Sequence, residues 1–177
     1  VGIVTPLYHG VRHRFPELKP FGGPLAVPLG VESVPAEVWT LQPRSNLTVY
    51  FIDQPRFYDR ASLYQENGAD YPDNAARFIF FSKCAAHLAR HLPWSPELVQ
   101  VHDWQTGLVP LFVRHQRDFE GWTNAPRTIQ TIHNLAFQGL FPPRFYGLTN
   151  LPWDYFQTEG LEFYGQMSCL KAGLVFA

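Results

Sequence analysis

Two short polar clusters hold the side chains best suited to chemistry. The first is Val101-His102-Asp103-Trp104-Gln105-Thr106-Gly107-Leu108, and the second is His133-Asn134-Leu135-Ala136-Phe137-Gln138-Gly139. Imidazole, carboxylate and amide groups offer the mixture of donors and acceptors that a hydroxyl-rich ligand such as a sugar requires. Asp103 can accept hydrogen bonds from hydroxyls or hold a cation, but Asp at such a place also serves as a helix cap or loop-to-backbone bond. His133 carries the same ambiguity. Asn134 and Gln138 beside it strengthen the binding reading, and Gly139 lets the loop turn closely past a ligand.

Other chemistries find less support. His102, Asp103 and His133 could be considered as metal ligands, but a zinc site needs three or four, commonly with a short-spaced pair. Adjacent residues such as His102 and Asp103 on a strand point to opposite faces. His87 and His91 stand four apart on a predicted helix, near its C-terminal end, where cationic His is favourable against the dipole. No metal is therefore expected. There is no Gly-x-Ser-x-Gly elbow and no phosphate-binding loop of the P-loop type. Before the first long helix, Tyr71 can stack on a base or sugar, whereas Asp73 and Asn74 are explained more simply by capping. Glu162 and Gln166, at the expected start of the last helix, can face the same rim, with Lys171 nearer its end.

These residues need elements to hold them. Val1–Thr5 reads as a buried strand closed by Pro6, and residues 8–24 as loop. Leu25–Val31, Ala36–Leu41 and Leu47–Ile52 are β-type stretches, the last two joined by a hairpin connection at 42–46. An irregular excursion covers 53–72. Phe78, Ser82, Ala85, Leu88 and Leu92 recur at helical spacing, which predicts a helix from the Asp73 cap to about His91. Glu97–Val101 and Arg127–Ile132 are predicted strands, each running directly into one polar cluster. Thr106 is expected to cap a helix over 107–116. A long segment, 134–162, precedes an expected helix over 163–172, stopped by Gly173, and a strand beginning at Leu174. The alternation of helix and strand after Asp73 predicts an α/β fold with a parallel sheet and covering helices. In such a sheet, ligands bind at the carboxyl ends of the strands.

Length and composition set the frame. With 177 residues, 46% hydrophobic and 16% charged, the chain is a globular domain rather than a disordered segment. A net charge of −1 argues against a nucleic-acid binder that relies on a basic face. No stretch approaches the length of a membrane span, and no signal peptide is visible. Two cysteines far apart form no disulfide framework, which fits a reducing, cytoplasmic compartment. Asn46-Leu47-Thr48 matches a glycosylation pattern and is read as chance. Because apolar strand-like runs meet both ends, the chain is expected to be a fragment, truncated at both ends.

Taken in order, LYQENGADYPDNAARFIFFSKCA (63–85), VHDWQTGLVPLFV (101–113), TIHNLAFQGLFPP (131–143), LPWDYF (151–156) and LEFYGQMSCLKAGLVFA (161–177) resemble the N-terminal domain of the bacterial glycogen synthase and plant starch synthase family. VTPLYHGVRHRFPELKP (4–20) matches more weakly. The resemblance implies a Rossmann-like domain, residues 1–177, from a two-domain glycosyltransferase of the GT-B type, with the C-terminal nucleotide-sugar-binding domain absent here. It implies transfer of glucose from ADP-glucose to the non-reducing end of an α-1,4-glucan with retention, and no cofactor. By motif, His133 corresponds to the family's active-site histidine and Asp103 to the aspartate that contacts the donor glucose. Asn134, Gln138, Gly139, Tyr71 and Gln166 are carried over as ligand contacts. The family often has His where this chain has Gln105. Two other readings stand beside it: another GT-B sugar transferase, and a non-catalytic glucan-binding module using Trp104, Tyr71 and Trp153.

Overall fold

The computed structural model describes all residues, 1–177. Its first half is mainly β. Strand β1 (Gly2–Pro6) is followed by one helical turn, α1 (Val11–Arg14), the short β2 (Lys19–Pro20), β3 (Leu25–Leu29), β4 (Glu32–Arg44) and β5 (Leu47–Asp53). β1 pairs parallel to β5, β5 pairs antiparallel to β4, and β4 carries both β2 and β3. The expected β stretches are present, but the middle one is longer. Its first residues pair with β3 and the rest with β5. Alternation along it places Val34, Ala36 and Val38 in the core and Ser33, Pro35 and Glu37 outside.

The 53–72 excursion is more regular than its composition suggests. It contains α2 (Pro55–Tyr58) and a hairpin of β6 (Gln65–Glu66) and β7 (Ala69–Asp70). Asn67 and Gly68 both have positive φ, the conformation that a tight two-residue hairpin turn demands. Helix α3 (Asn74–His91) runs as predicted and is buried on more than one face: Phe78, Ile79, Phe80 and Phe81 are all core. Asp73 does occupy the capping position, but its carboxylate pairs with Arg60 instead of a first-turn N–H.

Arg77 fastens the excursion to α3. Its guanidinium is fully buried and donates to Phe57 O at 2.8 Å, Asn74 Oδ1 at 2.7 Å and Leu63 O at 2.9 Å, with no carboxylate partner. Burial pushes its pKa down from the usual arginine value. Lys83, one helical turn and a half further on, donates to Pro28 O, Leu148 O and Asn150 Oδ1, tying β3 to α3 and to the later loop.

The second half supplies the parallel unit. β8 (Leu98–His102) leads through a 3₁₀ turn, Trp104–Thr106, into α4 (Val109–Phe119) and then β9 (Arg127–Thr131), which lies parallel to β8. β8 and β9 form their own two-stranded sheet, so the parallel pairing is divided between two sheets and does not run through one. The cap expected at Thr106 falls at Leu108; the Thr106 hydroxyl turns back to the His102 backbone. β10 (Leu140–Phe141) and two 3₁₀ segments, Pro143–Thr149 and Trp153–Tyr155, follow.

At the end of the chain two expectations fail. Residues 163–172 do not form one helix. β11 (Glu162–Phe163) and β12 (Gln166–Ser168) make a hairpin around Tyr164 and Gly165, both at positive φ, and only then does α5 (Cys169–Phe176) begin. Ser168 caps it by accepting from Lys171 N at 3.2 Å. Leu174 to Phe176 are helical, not a strand, and Gly173 is no stop signal. It lies inside α5, where a Cβ would run into the Gln130 side chain on β9.

Candidate functional site

Both polar clusters sit where β8 and β9 end side by side, and each is stitched to the other. Asp103 Oδ1 accepts from His133 N at 2.7 Å and from Asn134 N at 3.4 Å. Asp103 N in turn donates to Thr131 O at 2.8 Å. The backbone there has φ 55° and ψ −168°, a region that is nearly glycine-only and costs a non-glycine residue about 1–3 kcal/mol. Strain of this size persists only where surrounding bonds over-determine it. Gln130 supplies one of those bonds, from Nε2 to Asp103 O at 3.2 Å.

The two histidines meet beyond this carboxylate. His102 Nδ1 and His133 Nε2 are 3.0 Å apart, with the rings within 18° of coplanar. Both side chains are exposed.

Below lies a cavity of about 710 Å³, large enough for a saccharide. Asp103, Asn134, Gln138 and Gly139 line it, as does Tyr71. Its floor is aromatic: Trp104 packs edge-on against Phe78 and Phe141, and Tyr64 leans over Trp104 at 6.5 Å between centroids. Aromatic faces suit the apolar side of sugar rings, and the amides and carboxylate suit their hydroxyls. Gly139 is required for this arrangement. It has φ +61°, and a Cβ would fall 2.5 Å from the Trp104 ring.

Of the residues expected at the site, the structure therefore gathers five around one cavity. His133 stands next to them, bonded through its N–H to Asp103, but does not line the cavity. Tyr71 is present in a different capacity from stacking. It is 8% exposed, and the guanidinium groups of Arg60 and Arg77 lie 4.6 and 5.0 Å from its ring centroid. Gln166 is elsewhere: it pairs with Phe163 in the β11–β12 hairpin and does not line the cavity, contrary to a place on a helix facing the rim.

Sequence reasoning missed Tyr64, Gln65 and Asp70, which the β6–β7 hairpin brings to the opposite wall. The Asn67-Gly68 pair is the signal that could have found them. Burial pushes the Tyr64 hydroxyl pKa up; Asp103 adds to this and Arg77 opposes it. Phe137, Phe141 and Phe163, which also line the cavity, were missed as well.

The same geometry says what the site cannot do. No Lys or Arg lines the cavity. A helix N-terminus is a ready anion site, but the α5 start is occupied: Cys169 N donates to Gly139 O at 3.1 Å and Leu170 N to Gln138 O at 3.1 Å. The cavity offers polar and aromatic groups but no cationic side chain for a diphosphate. No three His, Cys, Asp or Glu side chains converge as a metal site, and His87 and His91 stack on each other at 4.1 Å. No helix is long and apolar enough to cross a membrane.

An α/β chain with an amide-rimmed, aromatic-floored cavity at the ends of parallel strands has the form of a small-ligand-binding α/β domain. Comparison narrows the class. The model of the starch synthase catalytic domain family matches residues 1–177. A glycogen synthase of Anaeromyxobacter dehalogenans is 38% identical over 178 residues, which cover 100% of this chain and 36% of that protein. One from Opitutus terrae is 40% identical over 86% of this chain and 32% of its own length. Among solved structures, the catalytic domain of starch synthase IV from Arabidopsis thaliana, bound to ADP and acarbose, superposes with a TM-score of 0.77 at 21% identity, over 100% of this chain and 36% of that one. The fold is thus the α/β, GT-B-type fold expected. The chain belongs to the starch synthase catalytic domain family, and it spans about a third of the length of the relatives it matches.

Proposed function

We propose that the chain is the N-terminal, acceptor-side part of a retaining glucosyltransferase that moves glucose from ADP-glucose to the non-reducing end of an α-1,4-glucan. The cavity carries this reading: one aromatic floor and one polar rim, built by Asp103, Asn134 and Gln138 at the ends of β8 and β9. Membership of the family supports the reaction class, and the ADP and acarbose on the starch synthase IV domain support the donor and acceptor chemistry.

In this reading Asp103 and His133 meet the glucose being transferred. Charge develops on an oxocarbenium-like sugar as the phosphate leaves, and fixed dipoles around it lower the barrier. Asp103 is held at the cavity with one oxygen committed to backbone N–H groups and the other unpaired within the protein. That second oxygen accepts from sugar hydroxyls and fixes the ring in place, an orientational effect worth several kcal/mol. The diphosphate must be gripped by a second, nucleotide-binding domain, because no cation lines this cavity. The unpaired, buried cysteines favour a reducing, cytoplasmic setting.

Two assays test the reading. The full-length polypeptide should transfer glucose from ADP-glucose to glycogen; absence of transfer from any nucleotide-glucose donor would overturn the assignment, and preference for UDP-glucose would overturn the donor. The 177-residue chain alone should release no appreciable ADP from ADP-glucose and glycogen. Robust release would show that the missing clamp is not needed.

A further inference from the structure

We propose that His102 is a positioning residue for His133, holding its imidazole in one orientation and one tautomer; the proposal rests on His133 acting at the glucose site. The centroid separation of 5.3 Å equals the 3.0 Å N···N distance extended by the two ring radii. With an interplanar angle of 18°, the rings therefore lie edge to edge, nearly in one plane, each nitrogen aimed at the other. This is hydrogen-bond geometry, not face-to-face stacking.

His102 is itself anchored. Its N–H donates to Thr106 Oγ1 and its carbonyl accepts from the same hydroxyl, both at 2.7 Å, and its backbone is registered against Thr131 in the β8–β9 ladder. His133 is held at a second point by Asp103. Backbone and ring are thus fixed independently, and only His133 Nδ1 is left for a ligand. Two neutral imidazoles carry one N–H each, so this bond needs one donor and one acceptor. If His102 Nδ1 donates, His133 Nδ1 bears a proton; if it accepts, His133 Nδ1 presents a lone pair. The partner ring thereby sets what His133 shows the sugar, as outer hydrogen bonds do for metal-bound histidines.

The test combines spectroscopy on this chain with kinetics on the full-length polypeptide. Nitrogen NMR of the 177-residue chain should show His133 in a single tautomer, with scalar coupling across the His102–His133 bond. His102→Ala should release His133 to the tautomer mixture of a free imidazole. His102→Asn, whose amide reaches the place of Nδ1, should restore a hydrogen bond to His133 Nε2 and with it the ring's orientation. In transfer assays His102→Ala should lower kcat about 10- to 100-fold with little change in KM, and His102→Asn should recover most of it. An unchanged His133 tautomer in His102→Ala overturns the proposal, whatever the activity, and so does a wild-type kcat in that variant. If the full-length polypeptide transfers no glucose while the tautomer lock is present, positioning stands and the glucosyltransferase reading fails.

Discussion

Asp103 performs two tasks with two oxygens. One pins the His133 loop, and the other is left without a partner in the protein while the residue lines the cavity. Substitution separates them. Asp103→Asn keeps an acceptor for the His133 and Asn134 amides, so it should unfold within about 1 kcal/mol of wild type, while transfer by the full-length polypeptide falls by orders of magnitude. Urea unfolding and ADP release measure the two. Asp103→Ala loses the acceptor and retains the strained φ, whereas Asp103→Gly loses the acceptor and relieves the strain. The glycine variant should therefore be the more stable of the pair by about 1 kcal/mol or more; the reverse order would show that the backbone there is not strained. Asp103, Asn134, Gln138 and Gly139 are legible in the sequence because strand ends gather polar residues with few local roles. Tyr71 is only half legible. That an aromatic precedes a helix says nothing of the two arginines that cover its faces, since Arg60 comes from the far side of the excursion.

At the level of elements, periodicity reveals α3, β8 and β9 because each buries a regular set of side chains. The final hairpin is hidden for the opposite reason. Tyr164 is 88% exposed and holds a positive φ with a bulky side chain, so neither propensity nor pattern announces a turn. The excursion wall depends on Arg77 in a way no pattern shows. Arg77→Lys leaves three buried acceptors that a single ammonium cannot reach in the same fork. It should cost about 3 kcal/mol and speed protease cleavage within the exposed stretch 61–70; unchanged cleavage would mean that the wall is held otherwise. Gly139→Ala should cost about 1–3 kcal/mol by driving a methyl into Trp104, visible as a shift in tryptophan fluorescence as well as in the unfolding midpoint.

Across the whole molecule, the thiols report on integrity. Cys84 is 0% and Cys169 1% exposed, and burial pushes the Cys169 pKa up to about 12. Neither should react with a thiol reagent in the native state, and both should react on unfolding; rapid native labelling would contradict the packing of α3 or α5. The sign of the pH effect follows. Above the ordinary thiol value of 9.0 the unfolded chain sheds protons that the native chain keeps, so stability falls as pH rises from there towards 12.

The junction between the Gln138–Gly139 carbonyls and the first amides of α5 carries a mechanical consequence. Swinging the loop away would bare two helix amides and two carbonyls at once, in a place with little water to replace them. Loop and helix are therefore one lever. Any closing motion over a bound sugar has to carry α5 with it, and a label on that helix would register ligand at the cavity from the far side of the loop.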